Sequence, residues 1–280
     1  MSYTKKKFEE LNLMDDFLMN ALASDQRLGE DFCRTMLSVL LQKELKKVKV
    51  IAQRIIPAIT PELRGIRMDV EISEYDEKAD FNALPISVYD VEPHNQDDSH
   101  LPKHNRFYQA KIDSKYLYSG EKDFRKLPNL FVINILNYDP FGYDHMVYHV
   151  RNCCEEVPEL EYEDGLEFYY FYTGGKKGGS GGIKAMLNYI QNSTAQNVTD
   201  EATEAVHQYV KQIRVSPEVR LSYMTLGDII DREREEAKAE QLVNSIESAM
   251  KNFHIDLETA CKGLGISIDS YHEAKKKLDN

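Results

Sequence analysis

Asp69 lies inside an apolar run, Ile66-Arg67-Met68-Asp69-Val70-Glu71-Ile72, and Glu92 lies inside a second, Val88-Tyr89-Asp90-Val91-Glu92-Pro93-His94. Apolar residues alternate through the first run, which is the period of a strand. Two strands that each bring a carboxylate to one end of a sheet supply what a divalent-metal phosphodiester site needs. Carboxylates are hard oxygen ligands for Mg²⁺, and the ion lowers the pKa of its bound water and neutralises charge on a phosphate. Glu71 shares a face with Asp69, and Asp90 with Glu92. Both read as solvated strand charges, because antiparallel sheets commonly alternate apolar-in with polar-out. Downstream, Arg106, Gln109 and Asp113 fall at i, i+3 and i+7. On a helix they share one face, and either touch phosphate or form a solvated stripe.

The elements that must position these residues are legible as periodicities. Residues 8–41 read as two helices, with Phe8, Leu11, Leu18 and Leu22 at helical spacing on the first and Phe32, Met36, Leu37 and Leu40 on the second. Asp15 and Asp16 lie on the first. Strands are expected over 47–59, 66–73 and 86–92, with Pro93 ending the third. Residues 101–118 read as a helix whose buried side carries Phe107, Ala110, Ile112 or Ser114, and Leu117. Leu130–Leu136 is almost continuously apolar, as a strand buried on both faces would be. Residues 146–150 and 166–172 are further strands. The glycine run 174–182 reads as a flexible loop, because it lacks the order of a phosphate-binding loop. Everything from Asp200 onward has helical pattern, ending in a helix-turn-helix-like tail. The fold class is therefore α/β or α+β, with a central mixed sheet flanked by helices. The expected domains are a core over 1–190 and a helical region over 200–280.

Composition narrows the classes. At 280 residues with 42% hydrophobic residues, the chain can build one large domain with an appendage. No window approaches a membrane span, and the basic start leads into Phe8-Glu9-Glu10 rather than an apolar signal segment. Four cysteines without C-x-x-C spacing point to a reducing cytoplasm. A net charge of −12 argues against a broad phosphate-binding surface but leaves room for a small basic groove. His94, His100 and His104 lack the regular spacing of a zinc site.

Several segments together carry a family resemblance. Asn12-Leu13-Met14-Asp15-Asp16-Phe17-Leu18 resembles the opening of the bacterial PD-(D/E)XK nuclease family transposases, also called recombination-promoting nucleases (Rpn family). Arg64-Gly65-Ile66-Arg67-Met68-Asp69-Val70, Val88-Tyr89-Asp90-Val91-Glu92-Pro93, Arg106-Phe107-Tyr108-Gln109 with Ile112-Asp113, and Leu127-Pro128 before the strand at Leu130 are similar to later segments. The resemblance covers residues 8–172, and more loosely the tail from Asp256 to Ser267.

The resemblance implies a restriction-endonuclease-like core and Mg²⁺-dependent (or Mn²⁺-dependent) hydrolysis of DNA, linked to transposition or recombination. It makes Asp69 and Glu92 metal ligands, with Asp16 or Asp15 completing the site. The family places Lys or Gln two residues after the Glu to handle the water; here that residue is His94. A histidine is mostly neutral at pH 7, so it can act as a base but not as a permanent cation. Lys103 or Lys111 from the following helix is the alternative cation, with Arg106 and Gln109 as phosphate or support residues. The implied partners are DNA and a second copy paired through the C-terminal helices. If chemistry is lost, the same fold would serve as a DNA- or protein-binding module.

Overall fold

A turn fastened by Asp15 precedes the first helix: its carboxylate accepts the Asn12 N–H at 2.8 Å, and α1 follows over Asp16–Ser24. Leu18, Met19, Leu22 and Ala23 form its buried stripe. α2 (Gly29–Leu40) crosses α1 so closely that a Cβ on Gly29 would collide with the Ala23 carbonyl, which is why this position needs glycine. Six strands then follow: β1 (Lys47–Ile56), β2 (Ile66–Tyr75), β3 (Ser87–His94), β4 (Asn129–Leu136), β5 (Val147–Arg151) and β6 (Leu166–Tyr172). Helix α3 (Leu101–Asp113) lies between β3 and β4, and α4 (Gly181–Gln191) and α5 (Glu201–Arg214) follow β6. This computed structural model describes residues 6–56, 65–117, 120 and 122–278. Arg64 and the expected end of the first strand, 57–59, lie outside them.

The sheet order is β1-β2-β3-β4-β6-β5. β1, β2 and β3 pair antiparallel, β3–β4 and β4–β6 pair parallel, and β5 returns antiparallel on β6. The architecture is a mixed sheet flanked by helices, as the alternation of elements in the sequence indicates. Both faces are covered. Val88, Leu130 and Val132 pack with Tyr108, Ile112 and Tyr116 of α3 and the turn after it. Tyr89, Val91, Ile133 and Ile135 point the other way and are also buried.

Three expectations change. Pro93 does not end β3, which runs to His94 with Pro93 paired to Ile135. The β2 ladder has already stopped at Val91, so the missing proline N–H removes no bond on that side. The glycine run is not a free loop: Met146 N–H bonds the Lys177 carbonyl, Lys176 and Lys177 N–H bond Asp144, and Ser180 caps α4. The first unit also extends past residue 190 to Ser216. Val206, Val210 and Ile213 of α5 are fully buried, and α5 packs on α1, α2 and α4.

The second unit is the chain from Pro217 onward. α6 (Pro217–Phe253) runs unbroken through the polar stretch 231–238. Its C-terminal part packs Ala239, Val243 and Ile246 against Ala260 and Cys261 of α7 (Leu257–Leu264) and Tyr271 and Ala274 of α8 (Ile268–Leu278). Gly265 closes α7 in the left-handed conformation, φ 68°, that L side chains disfavour. The helix–turn–helix tail is thus present and buries one small core.

Candidate functional site

The β2–β3 ladder pairs Glu74 with Ser87 through Val70 with Val91 and then stops, although both strands continue. At the next position Asp69 stands opposite Glu92. Its N–H, released from the ladder, is taken by Glu92 Oε1 at 3.0 Å. The same point distorts β1, where Gln53 adopts φ 53° and its Nε2 donates to Asp69 Oδ1 at 3.1 Å. Side-chain alternation along β2 also breaks here. Ile66 and Met68 join the cluster under α3, yet Glu71 reaches that same side to meet Lys115. The opening of the two strands is what brings both carboxylates to one place.

Five acids of these strands are withdrawn from solvent. Glu71 is 2% exposed, Asp90 0% and Glu92 7%, with Asp69 half-buried. The reading of Glu71 and Asp90 as solvated charges is therefore corrected: α3 covers the face that a two-layer sheet would leave wet. Glu71 is paired, with both oxygens on Lys115 Nζ at 2.7 and 2.8 Å. Glu74, equally buried, is satisfied by Tyr89 Oη at 2.6 Å, Lys43 Nζ at 3.2 Å and the Lys46 N–H. Asp90 differs from both, because neither of its oxygens makes a hydrogen bond of normal geometry. Burying a carboxylate without a partner is costly unless it holds a proton or a cation.

The electrostatics follow. Burial, opposed only in part by the Glu92 carboxyl, and repulsion from Asp69 and Glu71 push the Asp90 carboxyl up to about 8. Burial, then Asp90 and Asp69, holds Glu92 well above the usual carboxylate range. Burial also raises Asp69, against the Gln53 hydrogen bond and the Arg67 charge. Asp16 is raised by desolvation and then by Asp69 and Asp15. Asp16 nevertheless keeps part of its surface exposed. Asp15 is turned away, held by Lys6 at 2.6 Å and by Asn12 N–H. Of the two candidates on α1, Asp16 is the one in the field of Asp69.

Removing Lys115 leaves a buried, unpaired Glu71. Lys115→Ala is expected to lower stability by about 3 kcal/mol, read as a drop in thermal midpoint, with Glu71→Gln/Lys115→Ala recovering most of it. An unchanged midpoint in the single variant would show that this pair does not hold the face together.

His94 continues β3 beyond Glu92. Its Nε2 is buried without a hydrogen-bond partner, and its ring lies edge-on to His104 at 6.2 Å. Burial and then His104 lower its pKa, so at pH 7 it is neutral and able to accept a proton. The α3 residues fall differently from expectation. Leu101, Asn105, Tyr108 and Ile112 face the sheet, whereas Phe107 and Ala110 are exposed. Tyr108 Oη donates to the Arg67 carbonyl at 3.1 Å and Asn105 Nδ2 to Tyr170 Oη at 3.2 Å, which allows polar residues on the inner stripe. Lys103 and Arg106 therefore project to solvent, Lys111 lies over the Phe107 ring, and Gln109 bonds Asp113. None of the four makes a hydrogen bond or ion pair with Asp69 or Glu92. Lys115, Gln53 and Asn134 were not singled out from sequence. Lys115 could have been, since it follows Tyr108 and Ile112 at helical spacing. Asn134, opposite Glu92 on β4, is fully buried with its side chain beside the His94 imidazole.

The donors suit a hard divalent cation in kind: all are carboxylates, and Asp90 has only another carboxyl, Glu92, beside it. They are not preassembled as a cage. Among the described residues no three His, Cys, Asp or Glu side chains are grouped to hold a metal ion. Glu92 Oε1 and Asp69 Oδ1 are engaged with an N–H and an amide instead. No family model, curated protein or solved structure matches the chain.

Proposed function

We propose that the first unit is a Mg²⁺- or Mn²⁺-dependent DNA endonuclease, on a restriction-endonuclease-like core, serving transposition or recombination. One observation carries this reading: the β2–β3 ladder opens where Asp69, Asp90 and Glu92 crowd together, and the fully buried Asp90 has no cation or N–H donor, only the Glu92 carboxyl beside it. Asp69 and Glu92 would hold the cation, with Asp16 at the rim. When bound, the cation supplies a water of lowered pKa and a counter-charge for the phosphate. His94, kept neutral by burial, is the group able to receive a proton at Nε2. Gln53 orients Asp69 through its amide.

Metal binding is separable from cleavage. Saturating Mg²⁺ or Mn²⁺ at alkaline pH, where the carboxylates are free of protons, is expected to raise the thermal midpoint by about 5 °C. Asp69→Asn should remove that rise. No shift in the parent protein would sink the metal assignment. A second reading, a nuclease fold kept for binding, is favoured by His94 in place of Lys or Gln and by the outward direction of Lys103 and Arg106. A thermal shift without DNA cleavage would select it.

A further inference from the structure

Phosphate approaching this site meets several carboxylates in a chain of net charge −12, so some nearby cation must offset them. Two lysines are already committed, Lys6 to Asp15 and Lys115 to Glu71. Arg67 stands differently. It lies two residues before Asp69 on β2, on the side away from Ile66 and Met68, which are packed under α3. Its side chain is exposed, and Ile55, its partner across β1, is 67% exposed, so the guanidinium stands on open surface. The backbone beneath is fixed, because Tyr108 Oη bonds the Arg67 carbonyl. Its charge acts on both Asp69 and Asp16.

We propose that Arg67 is a phosphate-binding residue that seats a phosphodiester of the DNA strand against the Asp69–Glu92 end of the sheet. A planar fork of N–H donors matches two non-bridging phosphate oxygens, and the contact needs no base identity. The inference rests on the endonuclease reading for its substrate, but it concerns binding and is tested without turnover.

The test is fluorescence anisotropy of a labelled DNA duplex with the full chain in EDTA, over a series of salt concentrations, beside Mg²⁺-dependent cleavage. Arg67→Ala is expected to weaken binding about 10-fold and to reduce the salt slope by about 1. Arg67→Lys should keep the slope and recover only part of the affinity. In cleavage, Arg67→Ala should raise KM with kcat nearly unchanged. Arg67 is exposed, so the variants keep the fold, which circular dichroism checks. Parental affinity and slope in Arg67→Ala overturn the proposal, as does a parent that does not bind DNA. Arg67-dependent binding with no cleavage by the parent upholds it while sinking the hydrolytic reading.

Discussion

Asp69→Asn and Glu92→Gln are each expected to lower Mg²⁺- or Mn²⁺-dependent plasmid cleavage by about 100-fold or more. Both substitutions keep the shape of the side chain and remove its charge. In the first variant the new amide oxygen would still accept from Gln53. In the second it would still accept the Asp69 N–H, so the local hydrogen bonds that position the strands survive. The loss would therefore report on ligand charge and not on a collapsed sheet. Circular dichroism and thermal midpoints near the parental values would support that distinction. Gln53→Ala, which frees Asp69 without changing its charge, should have a much smaller effect. Variants at Asp69 and Glu92 that cut as fast as the parent would remove these residues from the site, whatever the activity of the protein.

The second large effect is a dependence of stability on pH. Asp90 keeps its proton in the folded chain up to about pH 8, while in the unfolded chain it releases it near the ordinary 3.8. Between those values the folded state binds more protons, so stability must fall as pH rises. Its contribution is fully present below about pH 4 and is gone above about pH 8. Wherever the folded state holds one proton more than the unfolded state, the slope is about 1.4 kcal/mol per pH unit. Glu92, Asp69 and Asp16 are displaced in the same direction and add to it. Thermal midpoints measured from acid to alkaline pH should decline in the parent and decline less steeply in Asp90→Asn. Parallel curves for the two proteins would show that Asp90 is not held protonated by the fold.

The two effects have a common physical origin. Crowding carboxylates away from water destabilises the charged form, and a proton or a divalent cation relieves the same cost. A site of this kind is expected to be weak in stability and strong in cation affinity at alkaline pH. Glu71 and Glu74 show the alternative within the same sheet, where Lys115 and Lys43 with Tyr89 neutralise buried acids by ordinary pairing.

Much of the frame was legible in the chain itself. The period-2 runs around Asp69, the continuous apolar stretch of β4 and the helical stripes of α1, α2 and α6–α8 are local patterns, set by how side chains alternate along a strand or repeat on a helix. They fix which residues form elements, and they put acids on β2 and β3. What they leave open is decided by contacts distant in sequence. Only the pairing of the strands shows that the β2–β3 ladder stops at Val70 and Val91, and that Asp69 then faces Glu92. Only the packing of α3 shows that Glu71 and Asp90 are buried, since alternation alone cannot tell a covered face from a wet one. The inward face of α3 differs from its periodicity for a related reason. Tyr108 and Asn105 can turn inward because Arg67 and Tyr170 meet their polar ends, and those partners lie 41 and 65 residues away. Sequence by itself determined the elements and the acids; tertiary structure decided which of those acids lost their water, because desolvation depends on what covers a residue and not on its neighbours in the chain.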